Sequence, residues 1–264
     1  MENDYYAQCV AKGVELYFRT LGHADNMHLH TGDIEWIAPL PNTPGPSIVY
    51  NISLDERTAA ARIDEMIPLI KSKHIPSAWY VSATSTPENI VEILLSKGFV
   101  KTLRKPTDPD EPEAAMALDM APDMRWAASP SFEIRRVTSF PDFERWIDVV
   151  NEALHGCELL LAKYNYPLVA RASVSFYLAL LDGIPIATAA TMQEGDIATL
   201  EFVSTLKAHR RKGAGSAVCS EALRDLQKTN VRTVTLRASH EAIPLYAKLG
   251  FRPYFEPAIL FYVS

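Results

Sequence analysis

No run of about 18 apolar residues occurs anywhere in the 264-residue chain, so no membrane-spanning helix is expected. The opening residues, Met1-Glu2-Asn3-Asp4, are acidic and lead into no signal-peptide apolar region. Cysteine is scarce: Cys9, Cys157 and Cys219 are odd in number and widely spaced. That argues against a disulfide framework and against zinc spacing, and predicts reduced thiols in a cytoplasmic protein. Positive charge is also short, 26 Lys and Arg against 32 Asp and Glu, a net of −6. Nucleic acid is therefore not expected as a partner, because phosphate backbones call for a basic surface. The acidic balance leans toward an amine-bearing substrate, although solubility alone explains such a bias. No Ser/His/Asp order with hydrolase spacing is visible. His28-x-His30 has no third ligand at a recognisable spacing, so it reads as plain strand or loop and no metal is expected.

What is present is a globular mix, 48% apolar and 22% charged, long enough for two domains. Residues 4–22 predict a helix. Residues 27–37 predict strand around a Thr31-Gly32-Asp33 turn, and Pro39 to Pro46 a connection. Ser47 to Ile52 is a strand, Leu54 to Lys73 a helix with Asp55 as an early cap, and Ser77 to Ser82 a strand. Thr86-Pro87-Glu88 predicts a helix start with Thr86 as N-cap; the helix runs to Gly98-Phe99. Pro106 to Pro112 reads as an exposed acidic loop, and Ala114 to Met120 as a strand closing the first half. Residues 121–131 read as a linker in which Trp126 packs on a domain. Phe132 to Val137 is a strand and Pro141 to Leu154 a helix burying Phe143, Trp146, Ile147 and Val150. Leu159 to Tyr164 is a short helix. Strands flank the Asp182-Gly183 hairpin turn, and a further strand ends at Val203.

The most informative stretch follows that strand. Arg210-Arg211-Lys212-Gly213-Ala214-Gly215-Ser216 opens a helix whose Cys219, Ala222, Leu223 and Leu226 recur at one-face spacing. The first N–H groups of a helix lack internal partners, and the helix dipole adds positive potential there. Glycines let an anion approach those groups closely, and Arg and Lys add charge. A P-loop is excluded because Lys212 precedes the glycines; a dinucleotide fingerprint is excluded because its third glycine position is Val218. The pattern that fits is Arg-x-x-Gly-x-Gly, on Arg210, Gly213 and Gly215. After the helix come the strand Val231 to Ala238 and the segment Ser239 to Phe251, which ends Tyr246-Ala247-Lys248-Leu249-Gly250-Phe251. Gly250 suits the position past a helix end, where positive φ is favoured.

These two motifs, in this order, resemble the signature of the GNAT superfamily of N-acetyltransferases over residues 132–264. The unit of strand 79–81, helix 87–97 and Gly98-Phe99 mirrors strand 234–236, helix 242–249 and Gly250-Phe251. Residues 1–120 thus resemble a degenerate second copy, although any strand–helix–glycine unit would look similar. It has Leu94 where the other copy has Tyr246, and no basic glycine turn. The resemblance implies an α/β fold of tandem domains, 1–120 and 132–264. Each would be a mixed, mostly antiparallel twisted sheet flanked by helices.

The resemblance further implies acetyl transfer from acetyl-coenzyme A to an amine by direct attack. Val203 and Thr205 would bind the pantetheine amides, and Arg211, Lys212, Gly213, Ala214, Gly215 and Ser216, with Arg210, the diphosphate. Ser239 would contact the cofactor or cap the helix. Tyr246 would protonate the departing thiolate; packing alone is the alternative. Glu201 is the candidate base, as the sole carboxylate on the strand before the turn; a structural strand glutamate is the alternative. The base position of some relatives falls nearer Thr199, which cannot serve. Cys157, Glu158 and Tyr164 are candidates for acceptor contacts. Cys219 is expected in the core. A non-catalytic acyl-coenzyme A sensor or a partner-docking protein is the rival reading.

Overall fold

A computed structural model describes residues 2–101, 114–127, 129, 131–255 and 258–263. The elements run α1 (Glu2–Leu21), β1 (Met27–His30), β2 (Ile34–Pro39), β3 (Ile48–Ile52), α2 (Ala59–Lys71), β4 (Ala78–Val81), α3 (Ile90–Ser96), β5 (Phe99–Lys101) and β6 (Ala114–Asp119). Then come β7 (Glu133–Arg136), α4 (Phe140–Val150), α5 (Ala162–Asn165), β8 (Val174–Leu181), β9 (Ile184–Glu194) and β10 (Ile197–Thr205). The chain closes with α6 (Ala214–Leu226), β11 (Thr233–Ala238), α7 (Ile243–Leu249), β12 (Arg252–Phe255) and β13 (Ala258–Tyr262). The expected acidic loop 106–112 lies outside the described residues.

Two mixed sheets result, six strands in the order β1-β2-β3-β4-β13-β5 and seven in the order β12-β6-β11-β10-β9-β8-β7. Each contains one parallel pair, β3 with β4 and β10 with β11. Each also has one strand inserted antiparallel past that pair, and here the copies trade. β13, from the chain's end, pairs with β4 and β5. β6, from the first half, pairs with β11 and β12. The strand expected to close the first half therefore sits inside the second sheet. The reason is burial on both faces. Ala115 and Ala117 meet Tyr6 and Val10 of α1. Met116 and Leu118 meet the α6 side. Such a strand needs neighbours on both edges.

Helix α1 packs against β2 and β3 of one sheet and against β6, β9, β10, β11 and β12 of the other. Its apolar positions are spread around the cylinder because it is covered from both sides. Gly13 makes the close approach possible: a Cβ there would stand 2.0 Å from the Thr235 Oγ1.

Residues 121–127 of the expected linker 121–131 strap across the second core. The Trp126 indole N–H donates to the Leu249 carbonyl at 3.1 Å, and Arg224 donates to the Trp126 carbonyl at 2.8 Å. Thr86 is not a helix cap. Its backbone pairs with Ile52 and Leu54 instead, and α3 starts at Ile90 after an Asn89 N-cap.

Candidate active site

β10 and β11 pair only from Ile197–Thr233 to Thr199–Thr235. Beyond that they separate. β10 stays with β9 through a bulge between Glu201 and Ser204, while β11 stays with β6. Phe202, in the bulge, has φ 53°, a strained value for a bulky residue. The Thr188 hydroxyl holds the Phe202 carbonyl at 2.8 Å. The Phe202 ring joins Trp146 at 5.2 Å and Tyr17 at 5.4 Å. A bulge thus opens a fork in the sheet, a device that re-aims side chains beside functional sites.

A cavity of about 460 Å3 fills the mouth of this fork, a size suited to a small-molecule or cofactor site. Val203, Ser204 and Thr205 form one wall, Ser239 and Tyr246 the other, and Arg210, Arg211 and Gly213 to Ser216 the rim. Gly213 takes φ 93° as the N-cap of α6 and supplies no side-chain cap. The first N–H groups of α6 therefore remain available to an anion. A Cβ on Gly215 would come 3.2 Å from the Thr205 Oγ1, so the turn lies tight against β10. Arg210 fixes the turn, donating to the Thr205 carbonyl at 3.1 Å and to the Ala153 carbonyl at 3.2 Å. Arg211 adds charge at the rim. Lys212 turns away to the Ala208 carbonyl at 3.0 Å and does not line the cavity.

Tyr246 is 4% exposed. Burial pushes its phenol well above the ordinary value, with Cys219 and Glu201 adding to the effect. Its ring meets Phe251 edge-on at 5.9 Å. Gly250, at φ 104°, ends α7. Cys219 is fully buried, as expected, and burial pushes its thiol up to about 12.

Glu201 stands apart from the cavity lining. One oxygen accepts from the Thr199 hydroxyl at 2.8 Å and the other pairs with Arg237 at 3.0 Å. Burial opposes the Arg237 charge, but Glu201, Tyr17 and Tyr80 more than offset this, leaving its pKa above the ordinary value. Cys157, Glu158 and Tyr164 do not line the cavity either. The sequence reading missed Ala153 and Leu154, which do. They lie on a π-helical extension of α4, Asn151–His155, and a single π turn leaves no periodic signal. Leu245 and Lys248, also lining, follow from helical spacing around Tyr246.

The corresponding place in the first sheet is a hollow of about 600 Å3 lined by Glu56, Glu88 and Glu92. Carboxylates there repel a diphosphate.

Comparison with known proteins bears on the family and the fold. Residues 124–251 match the acetyltransferase (GNAT) family model. A GCN5-related N-acetyltransferase from Kribbella flavida superposes with TM-score 0.68 at 14% identity, over 97% of this chain and 96% of that one. A tandem GNAT protein from the clavulanic acid biosynthesis pathway gives 0.63 at 14%, over 94% of both chains. A functionally unknown conserved protein from Staphylococcus epidermidis gives 0.57 at 13%, over 94% and 98%. At such identities the likeness is one of fold, and that fold is the tandem GNAT arrangement along the whole chain. No curated protein matches in sequence.

Proposed function

Because residues 124–251 form an acetyltransferase domain of the GNAT family, we propose that the protein moves an acetyl group from acetyl-coenzyme A to an amine by direct attack. The observation that carries this is the fork between β10 and β11, with an uncapped helix N-terminus and two arginines at its mouth and Tyr246 on its wall. The first N–H groups of α6, with Arg211, hold the diphosphate. Arg210 keeps the turn against β10, Lys212 contributes charge at longer range, and Ser239 borders the cofactor. Backbone groups of Val203 and Thr205 bind the pantetheine amides. The amine nitrogen bonds to the thioester carbon, the carbon–sulfur bond breaks, and the Tyr246 hydroxyl gives its proton to the sulfur. The proton shed by the amine passes to water. Glu201, engaged by Arg237 and Thr199, contributes a fixed negative charge beside the fork in preference to acting as the base.

Thermal unfolding with coenzyme A and acetyl-coenzyme A tests the binding part. The expected result is a rise in Tm that Gly213→Glu abolishes, with one ligand per chain by calorimetry because the first sheet's hollow is acidic. No shift at millimolar ligand refutes it. Free-thiol release over an amine panel tests the transfer. A second reading, an acyl-coenzyme A sensor, is favoured by the engagement of Glu201, the carboxylate on β10, with Arg237. It expects binding without thiol release on any amine.

A further inference from the structure

The register of β10 and β11, continued two residues past the last pair at Thr199 and Thr235, brings Glu201 opposite Arg237. Backbone pairing has ended there, and the side chains span the gap at 3.0 Å, with exposures of 9% and 14%. The guanidinium is covered by Tyr17 at 4.7 Å and Phe18 at 5.2 Å, both from α1. Phe18 in turn stacks on Tyr50 of β3 at 5.5 Å. A buried ion pair is a poor source of stability, because desolvation consumes most of its attraction. Its value here is geometric. Past this point the two strands diverge, this ion pair spans them, and the bulge that shapes the cavity wall begins one residue later at Phe202.

We propose that Glu201 and Arg237, gripped from behind by Tyr17 and Phe18, are positioning residues that set the width of the fork where the acetyl group lies. The proposal rests on the acetyl-coenzyme A reading above. It gives the first half of the chain a part in the second half's site: α1 holds the staple that shapes the thioester pocket. The diphosphate turn is built separately, on Thr205, Ala153 and α6, so the two parts of one ligand should respond differently to the same change.

Calorimetry on the full chain, with coenzyme A and acetyl-coenzyme A as paired probes, reads that difference. In Glu201→Gln, acetyl-coenzyme A affinity should fall at least ~10-fold and coenzyme A affinity less than ~3-fold. Tyr17→Leu should shift the two in the same unequal way from the far side of the guanidinium. The double change Glu201→Met with Arg237→Met guards against a folding artefact, since apolar replacement of a buried pair is often neutral or stabilising. It should keep Tm while still losing the acetyl-specific affinity. Equal losses for both ligands, or an unchanged acetyl-coenzyme A affinity in the folded double variant, overturn the proposal. Wild-type protein that binds neither ligand refutes the acetyl-coenzyme A reading itself.

Discussion

Tyr246 and Cys219 face each other across the α6–α7 contact, and burial acts on both in the same direction. For Tyr246 the consequence bears on the proposed proton transfer to sulfur. A phenol whose pKa is raised keeps its proton, so its ionisation takes nothing from the rate below about pH 10. Tyr246→Phe should lower kcat by ~100-fold, the scale of a lost general acid, with the coenzyme A Kd unchanged by calorimetry. For Cys219 the consequence is stability. An unfolded thiol ionises above its ordinary 9.0, whereas the native one resists up to about 12. Its contribution is therefore complete below about pH 9 and drains away as pH rises toward 12, at up to ~1.4 kcal/mol per pH unit. Urea titrations between pH 8 and 10 should show this slope, and Cys219→Ala should flatten it. Cys219 was legible in the sequence because its helix face fixes it in the core, whereas Tyr246 was reached only through the resemblance of its Tyr-x-x-x-Gly-Phe ending. The partner of Glu201 was not legible. Arg237 lies 36 positions along the chain, and nothing local says which strand residues meet across a gap.

At the level of elements, α1 and its glycine make the sharpest case. Glycine inside a helix normally costs about 0.5–1 kcal/mol relative to alanine, so on an exposed helix Gly13→Ala would stabilise. Here the added methyl would stand 2.0 Å from the Thr235 Oγ1 and 3.2 Å from its Cβ. Thr235 is fully buried and its hydroxyl donates to the Ala198 carbonyl at 3.3 Å, so it cannot swing aside cheaply. Helix and sheet must part, and the expected sign reverses to a loss of about 1–3 kcal/mol in chemical denaturation. A stabilised variant would show that α1 is loosely seated. The helix itself was readable from its apolar content, but its seat between two sheets was not. Residues with buried positions all round look like weak periodicity until both coverings are known. The Thr86 cap failed for a related reason: its backbone is claimed by Ile52 and Leu54, a tertiary pairing that outranks a local preference.

For the whole molecule, the traded strands decide what can be cut. Ala115 to Leu118 is apolar and alternates small and large, so its pattern fits the middle of either sheet; chain order alone suggested the nearer one. The structure puts it between β11 and β12, where it supplies the pairing edge of both. β13 does the same for β4 and β5 in the other sheet. Neither half closes its own core. A fragment of residues 121–264 would leave β11 with an open edge, and Leu236, Val234 and Phe251 would lose the cover of Met116 and Leu118. Unpaired, apolar strand edges aggregate. That fragment should show no cooperative melt and bind no coenzyme A, although it holds every residue of the cavity wall. Co-expressed with residues 1–120 it should recover both as a one-to-one complex in size-exclusion chromatography, because β6 and β13 can be exchanged between chains as well as within one. A cooperative melt and coenzyme A binding by residues 121–264 alone would mean that β6 is dispensable to the sheet it occupies.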